Sequence, residues 1–145
     1  LDLFAAHYLT GEKIPTDIIQ RIRDSANFLS GYYTVRQISF GLLDMAWHGE
    51  DPSGVQDVKE FERGVLSPTE LFPPVEGGST SCAFGHIFQG GYSSGYYSYK
   101  WAEVLDADAF AYFQEKGIFD PEVAGKFKQH ILSAGGSEHP MTLYK

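Results

Sequence analysis

SGYYTVRQISFGLLDMAW, residues 30–47, is the stretch whose reading decides the fold. Val35, Ile38, Leu42 and Met45 recur in it every three or four residues, the spacing of one helical face. Ser30 stands where a hydroxyl can cap the first turn, and HGEDP at residues 48–52 closes the run. Upstream, Leu1, Phe4, Ala5 and Tyr8 keep a helical spacing. They predict the end of a helix stopped at Thr10-Gly11-Glu12, with Gly11 in the left-handed terminal position. Pro15 opens a second helix striped by Ile18, Ile19, Ile22 and Ala26. Downstream, Ser53 or Gly54 begins a shorter helix carrying Val55, Val58, Phe61 and Leu66. Its charged residues Asp57, Lys59, Glu60, Glu62 and Arg63 read as a solvated face.

Periodicity vanishes over residues 67–81, where Pro68, Pro73, Pro74, Gly77 and Gly78 predict an extended, turn-rich crossing. Loops of about fifteen residues are uncommon in compact domains and often functional. A long helix is expected from Ser94 or Gly95 to Lys116, with Trp101, Leu105, Phe110 and Phe113 among its apolar positions. Asp120-Pro121-Glu122 has the form of a helix start running to Leu132, Gly135-Gly136 stops it, and residues 141–145 begin a further element. No strand alternation and no internal repeat is visible. The expected fold is all-α: several helices and one long Pro/Gly-rich loop.

The 145 residues carry eleven Lys and Arg against nineteen Asp and Glu, a net charge of -8. With no basic cluster, that balance argues against nucleic acid or an anionic membrane as partner. No apolar run reaches the roughly 18 residues of a membrane span. The single cysteine, Cys82, rules out an internal disulfide framework, and a reducing, cytoplasmic compartment is expected. The chain begins at Leu1 rather than a methionine, and both ends read as cuts through structure.

Zinc hydrolysis needs clustered ligands, typically two histidines on one helical face with a carboxylate beside them. His7, His48, His86, His130 and His139 provide no such pair. His48-Gly49-Glu50 reads as a helix end and turn, and His130 and His139 flank a Gly-Gly break as exposed residues. Cys82 and His86 are four apart, but Cys82 follows a Gly/Ser-rich loop and is expected to be a small buried residue. No G-x-S-x-G elbow and no phosphate-binding loop is present.

What remains is FGHIFQGGYSSGYYSYKW at residues 84–101, in which four glycines and seven aromatics stand among eighteen residues. If the helix begins near Ser94, Tyr96, Tyr99 and Glu103 form one stripe, with Tyr97, Trp101, Val104 and Asp108 roughly opposite. Tyr97 and Trp101 are therefore expected to pack. A phenol is protonated near neutral pH and donates a hydrogen bond well, so two or three beside a flexible loop can hold a peptide carbonyl or a developing oxyanion. Aromatic packing with glycines for close approach explains the same residues. The residues alone leave both readings open.

FGHIFQGGYSSGYYSYKWAEVLDADAF (residues 84–110) closely resembles the thimet-oligopeptidase-like family of zinc metallopeptidases, on the side of oligopeptidase A and the bacterial peptidyl-dipeptidases. GIFDPEVAGKF (117–127), ILSAGGSEHPMTLYK (131–145) and FAAHYLTGEKIP (4–15) resemble the same family, so the likeness covers essentially the whole chain. It implies a much longer, mainly helical enzyme that hydrolyses short peptides in a deep channel. In that enzyme zinc, held by HExxH and a later glutamate, activates water. Those ligands would all lie upstream of Leu1, and an Arg-rich closing segment beyond Lys145. The chain is then a partial, C-terminal portion of the catalytic domain, truncated at both ends, inactive alone and completed by the missing remainder. By resemblance, His86 contacts the peptide near the cleaved bond. Tyr92 and Tyr99 hydrogen-bond substrate and stabilise the tetrahedral intermediate, Tyr96 is a further match, and Gly90 and Gly91 are the flexible glycines of the loop. Gln89, Ser93 and Ser94 stand where specificity could be tuned. A non-catalytic helical module that binds peptides or a partner through the same tyrosines is the alternative.

Overall fold

Helix α2, Ser30–Gly49, organises the first part of the chain, and its buried side is set by Phe40, Leu43, Asp44 and Trp47 at i, i+3, i+4 and i+7. Leu43 and Asp44 have no solvent exposure. The expected stripe is a different one. Val35, Ile38, Leu42 and Met45 keep between 42% and 44% of their surface exposed. The apolar period identified the helix, but the face that packs includes a carboxylate and so does not score as hydrophobic. Ser30 does not cap the helix with its hydroxyl; Leu29 precedes it in the left-handed region at φ +56°.

The computed structural model describes residue 1 and residues 3–145, and the regular elements among them are helices, with no strand beyond a single bridge between Ala6 and Lys13. The all-α expectation holds. The chain divides into two compact units, residues 1–97 and 98–145.

In the first unit, the residues before Pro15 form a turn rather than a helix end. The His7 N–H donates to Glu12 O at 2.8 Å and the Ile14 N–H to Ala5 O at 3.2 Å, around Gly11 at φ +71°. Phe4 and Tyr8 stay largely exposed, so no buried surface rewards the helical spacing, and short helices without packing are marginal. Helix α1, Thr16–Ser25, follows Pro15 as expected and buries Ile19. Helix α3, Val58–Leu66, starts later than its apolar pattern suggested. Asp57 accepts from the N–H groups of Lys59 and Glu60 and fixes the start, while residues 52–54 form a separate 3₁₀ turn. α3 packs on α2, and Leu43, Leu66 and Ile87 make the core, with Trp47, Val65, Phe84 and Tyr96 against it.

Glu62 is not part of a solvated face. Its carboxylate accepts from Ser79 Oγ at 2.9 Å, from the Thr80 N–H at 2.7 Å and from the Ser81 N–H at 2.7 Å. These bonds end the Pro/Gly-rich crossing and start helix α4, Thr80–Ala83, a single turn capped by Ser79. Trp47 Nε1 donates to Ser81 Oγ at 2.9 Å and ties the same turn to α2.

The second unit opens with α5, Ser98–Lys116, ended by Gly117 at φ +125°. Asp120 then accepts from the Glu122 and Val123 N–H groups and caps α6, Pro121–Phe127, which continues as a π turn over Lys128–Leu132. The predicted start at Asp120-Pro121-Glu122 is therefore correct. Residues 141–145 fall in α7, Pro140–Tyr144. The Tyr144 hydroxyl donates to Asp108 Oδ2 at 2.9 Å.

Burial works against ionisation of Glu62, but the Ser81 and Thr80 N–H groups and the Ser81 and Ser79 hydroxyls together hold its carboxyl below the ordinary range. A depressed native pKa stabilises the fold above the unfolded value and ceases to do so as pH falls through the native one. Glu62→Gln should therefore lower stability at pH 7 by about 1 kcal/mol, below the roughly 1.5–3 kcal/mol of charged hydrogen bonds because water still reaches the carboxylate. The gap to wild type should close in acid, read as urea midpoints for both proteins from pH 7 down to pH ~3.

Candidate functional site

All the candidate site residues singled out in the sequence except Tyr99 sit on the loop between α4 and α5. A 3₁₀ turn at Gly85–Ile87 carries His86 outward while Ile87 plugs the core with no exposure. Phe84 stacks on Phe40 of α2 with centroids 4.7 Å apart, and the His86 ring stacks on Phe84 at 5.2 Å. Gly90 and Gly91 then turn the chain at φ +79° and +82°, a left-handed pair that L side chains resist. The turn sets the Tyr92 ring 5.9 Å from His86 and 6.1 Å from Tyr96. His86, Gly90, Gly91, Tyr92 and Tyr96 thus belong to one cluster, with His86 exposed and the two tyrosines half-buried.

Tyr96 packs edge-on against Phe84 at 5.0 Å and Phe40 at 6.1 Å, leaning on the core. Of the two readings of the aromatic stretch, packing accounts for Tyr96 directly. Helix α5 begins at Ser98, not at Ser94 or Gly95, so Tyr96 is outside it and shares no helical stripe with Tyr99 and Glu103. Tyr99 lies in the second unit, in the first turn of α5 and 41% exposed. Tyr97 and Trp101, expected to pack, are 50% and 63% exposed. Cys82, expected to be buried, is exposed on the single turn of α4, and His86 stacks on Phe84.

Residues that the sequence reading passed over hold this loop. Asp44 Oδ1 accepts from the Ser94 N–H and Oδ2 from the Tyr96 N–H, both at 2.9 Å. Ser94 has φ +58°, an uncommon conformation for a residue with a side chain. One turn along α2, His48 Nδ1 lies 3.0 Å from Asp44 Oδ1 and 2.8 Å from the Asp44 carbonyl oxygen. Both neighbours are acceptors, an arrangement that suits the tautomer with its proton on Nδ1. The available signal was an aspartate inside the apolar run LLDMAW, four residues before a histidine.

No group of three or more His, Cys, Asp or Glu side chains among the described residues is placed to hold a metal ion, so these residues do not fit a zinc site. No helix among them is long and apolar enough to cross a membrane.

The sequence pattern of peptidase family M3 matches residues 1–145. Oligopeptidase A of Escherichia coli (strain K12) is 40% identical over 146 residues, covering all of this chain and 22% of the relative. The probable cytosolic oligopeptidase A of Arabidopsis thaliana is 37% identical over 97% of the chain and 21% of the relative. The dipeptidyl carboxypeptidase of Escherichia coli (strain K12) is 37% identical over 98% of the chain and 21% of the relative. The chain spans about a fifth of the length of these curated relatives.

Left-handed backbone costs a residue with a Cβ about 1–2 kcal/mol. Nothing lies within 4 Å of a Cβ at Gly91, and at Gly90 the Tyr92 ring is at an ordinary 3.6 Å, so backbone strain dominates at both. Gly90→Ala and Gly91→Ala should each destabilise by about that amount in chemical denaturation, whereas Gly64→Ala inside α3, also open, should be neutral or stabilising.

Proposed function

Given that the chain belongs to peptidase family M3, we propose that it is the C-terminal portion of the catalytic domain of a zinc-dependent oligopeptidase, supplying the part that grips the substrate. Two of the relatives are named oligopeptidase A and one dipeptidyl carboxypeptidase, so short peptides are the proposed substrates. The rest of the peptidase is the proposed partner, and the cytoplasm the proposed location. The metal belongs to residues outside this chain.

The observation that carries the reading is the cluster of an exposed imidazole and a half-buried phenol on a glycine turn, His86 beside Tyr92 at 5.9 Å. Extended peptides present a carbonyl and an N–H at every residue, and both side chains hydrogen-bond such groups. In this reading His86 and Tyr92 hold the peptide next to the bond to be cut. The Tyr99 hydroxyl donates a hydrogen bond to the oxygen that gains charge, a contact worth more in the transition state than in the bound substrate. Gly90 and Gly91 let the loop adjust to peptides of different length.

The test uses the full-length protein and a quenched fluorescent peptide. Tyr99→Phe should lower kcat by about 10²-fold with little change in KM, the usual cost of one oxyanion donor. His86→Ala should act mainly on KM, and a chelator should abolish cleavage. The 145-residue chain alone should cut nothing. Wild-type rates in Tyr99→Phe and His86→Ala together would overturn the assigned roles. A full-length protein that binds peptides and leaves them intact would favour the non-catalytic module.

A further inference from the structure

We propose that Asp44 is a positioning residue for the reaction: its carboxylate clamps the loop backbone at Ser94 and Tyr96 and thereby holds the tyrosine loop in its working shape. The inference rests on the reading of the chain as the substrate-gripping part of a peptidase.

Three observations carry it. Asp44 has no solvent exposure, and its two oxygens accept from loop N–H groups 50 and 52 residues away, Ser94 and Tyr96 at 2.9 Å each. A fully buried carboxylate is costly unless such donors meet it, so the loop and the carboxylate hold each other in place. Ser94, between those bonds and the glycine turn, adopts φ +58°, which a serine leaves unless its surroundings insist. Finally, His48 Nδ1 pairs with the Asp44 carbonyl oxygen at 2.8 Å and lies 3.0 Å from Asp44 Oδ1, so the carboxylate is also approached from the α2 side.

The geometry runs in one direction. Tyr92 precedes the clamped pair and Tyr96 stands in it, so the bond at Ser94 sets where the chain returns after the Gly90-Gly91 turn. Releasing it lets Ser94 relax to negative φ and swings the Tyr92 backbone away from His86. Misplacement of a binding group by about 1 Å can cost 10²-fold in rate. Asp44 acts without touching substrate.

The experiment compares full-length wild type, Asp44→Asn, Ser94→Gly and the double variant. Asparagine keeps the volume and one acceptor oxygen but turns an NH₂ toward one of the two loop N–H groups. Expected is a fall in kcat/KM of about 10–10²-fold for Asp44→Asn. Amide exchange should speed up at residues 94 and 96, while α2 and α3 keep their protection. Glycine takes the left-handed conformation without strain, so Ser94→Gly in the Asp44→Asn background should restore at least several-fold of the loss. A carboxylate that merely stabilised the core would not be rescued that way.

Wild-type kcat/KM in Asp44→Asn, or unchanged exchange at residues 94 and 96, overturns the clamp. So does a loss of activity that Ser94→Gly leaves untouched. Tyr92→Phe and Tyr99→Phe separate this inference from the one beneath it: if neither matters yet the Asp44 and Ser94 variants behave as stated, the tyrosine roles fall and the clamp stands.

Discussion

A carboxylate sealed inside a helical core is the constraint from which the first unit is built. Asp44 sits on the packed face of α2 between Leu43 and Trp47, where solvent cannot stabilise its charge. Backbone N–H groups of the loop do so instead, and meeting them requires Ser94 and Tyr96 to return to α2 at fixed positions. With the returning end placed, Tyr96 falls against Phe84 and Phe40, Ile87 fills the gap beside Leu43 and Leu66, and the intervening residues have little choice of path. Packing and polar satisfaction point the same way, which is what lets one loop conformation prevail.

The other end of the same segment is held by the same device. Glu62 on α3 accepts from the N–H groups of Thr80 and Ser81 and from the Ser79 hydroxyl, and Trp47 Nε1 donates to the Ser81 hydroxyl oxygen. Two carboxylates on two packed helices thus bracket residues 79–96. Between the brackets lie the glycine turn, the exposed His86 and the half-buried Tyr92.

Legibility in the sequence followed the range of the forces involved. Helices α1, α2 and α6 were readable because periodicity, Pro15 and the Asp120-Pro121 start act within a few residues. The start of α5 was read too early, because residues 94–97 are recruited by Asp44 fifty residues away, which no local pattern announces. Glu62 read as solvated because helical charge usually is, and its partners arrive from a loop without periodicity. The helical spacing at Leu1, Phe4 and Tyr8 misled because spacing reports a face without reporting a surface for it to bury against.

The site divides in the same manner. Sequence by itself determined the helical class, the existence of a glycine-turned aromatic loop, and the likeness to peptidase family M3. These follow from local periodicity, from the backbone demands that glycine meets, and from an unbroken string of matching residues. Only tertiary structure decided that Tyr96 leans on the core, that Tyr97 and Trp101 do not pack away, and that Asp44 and Glu62 are buried partners of the loop. Hydrogen bonds between distant segments and competition for one small core choose those outcomes, and a chain read residue by residue carries neither.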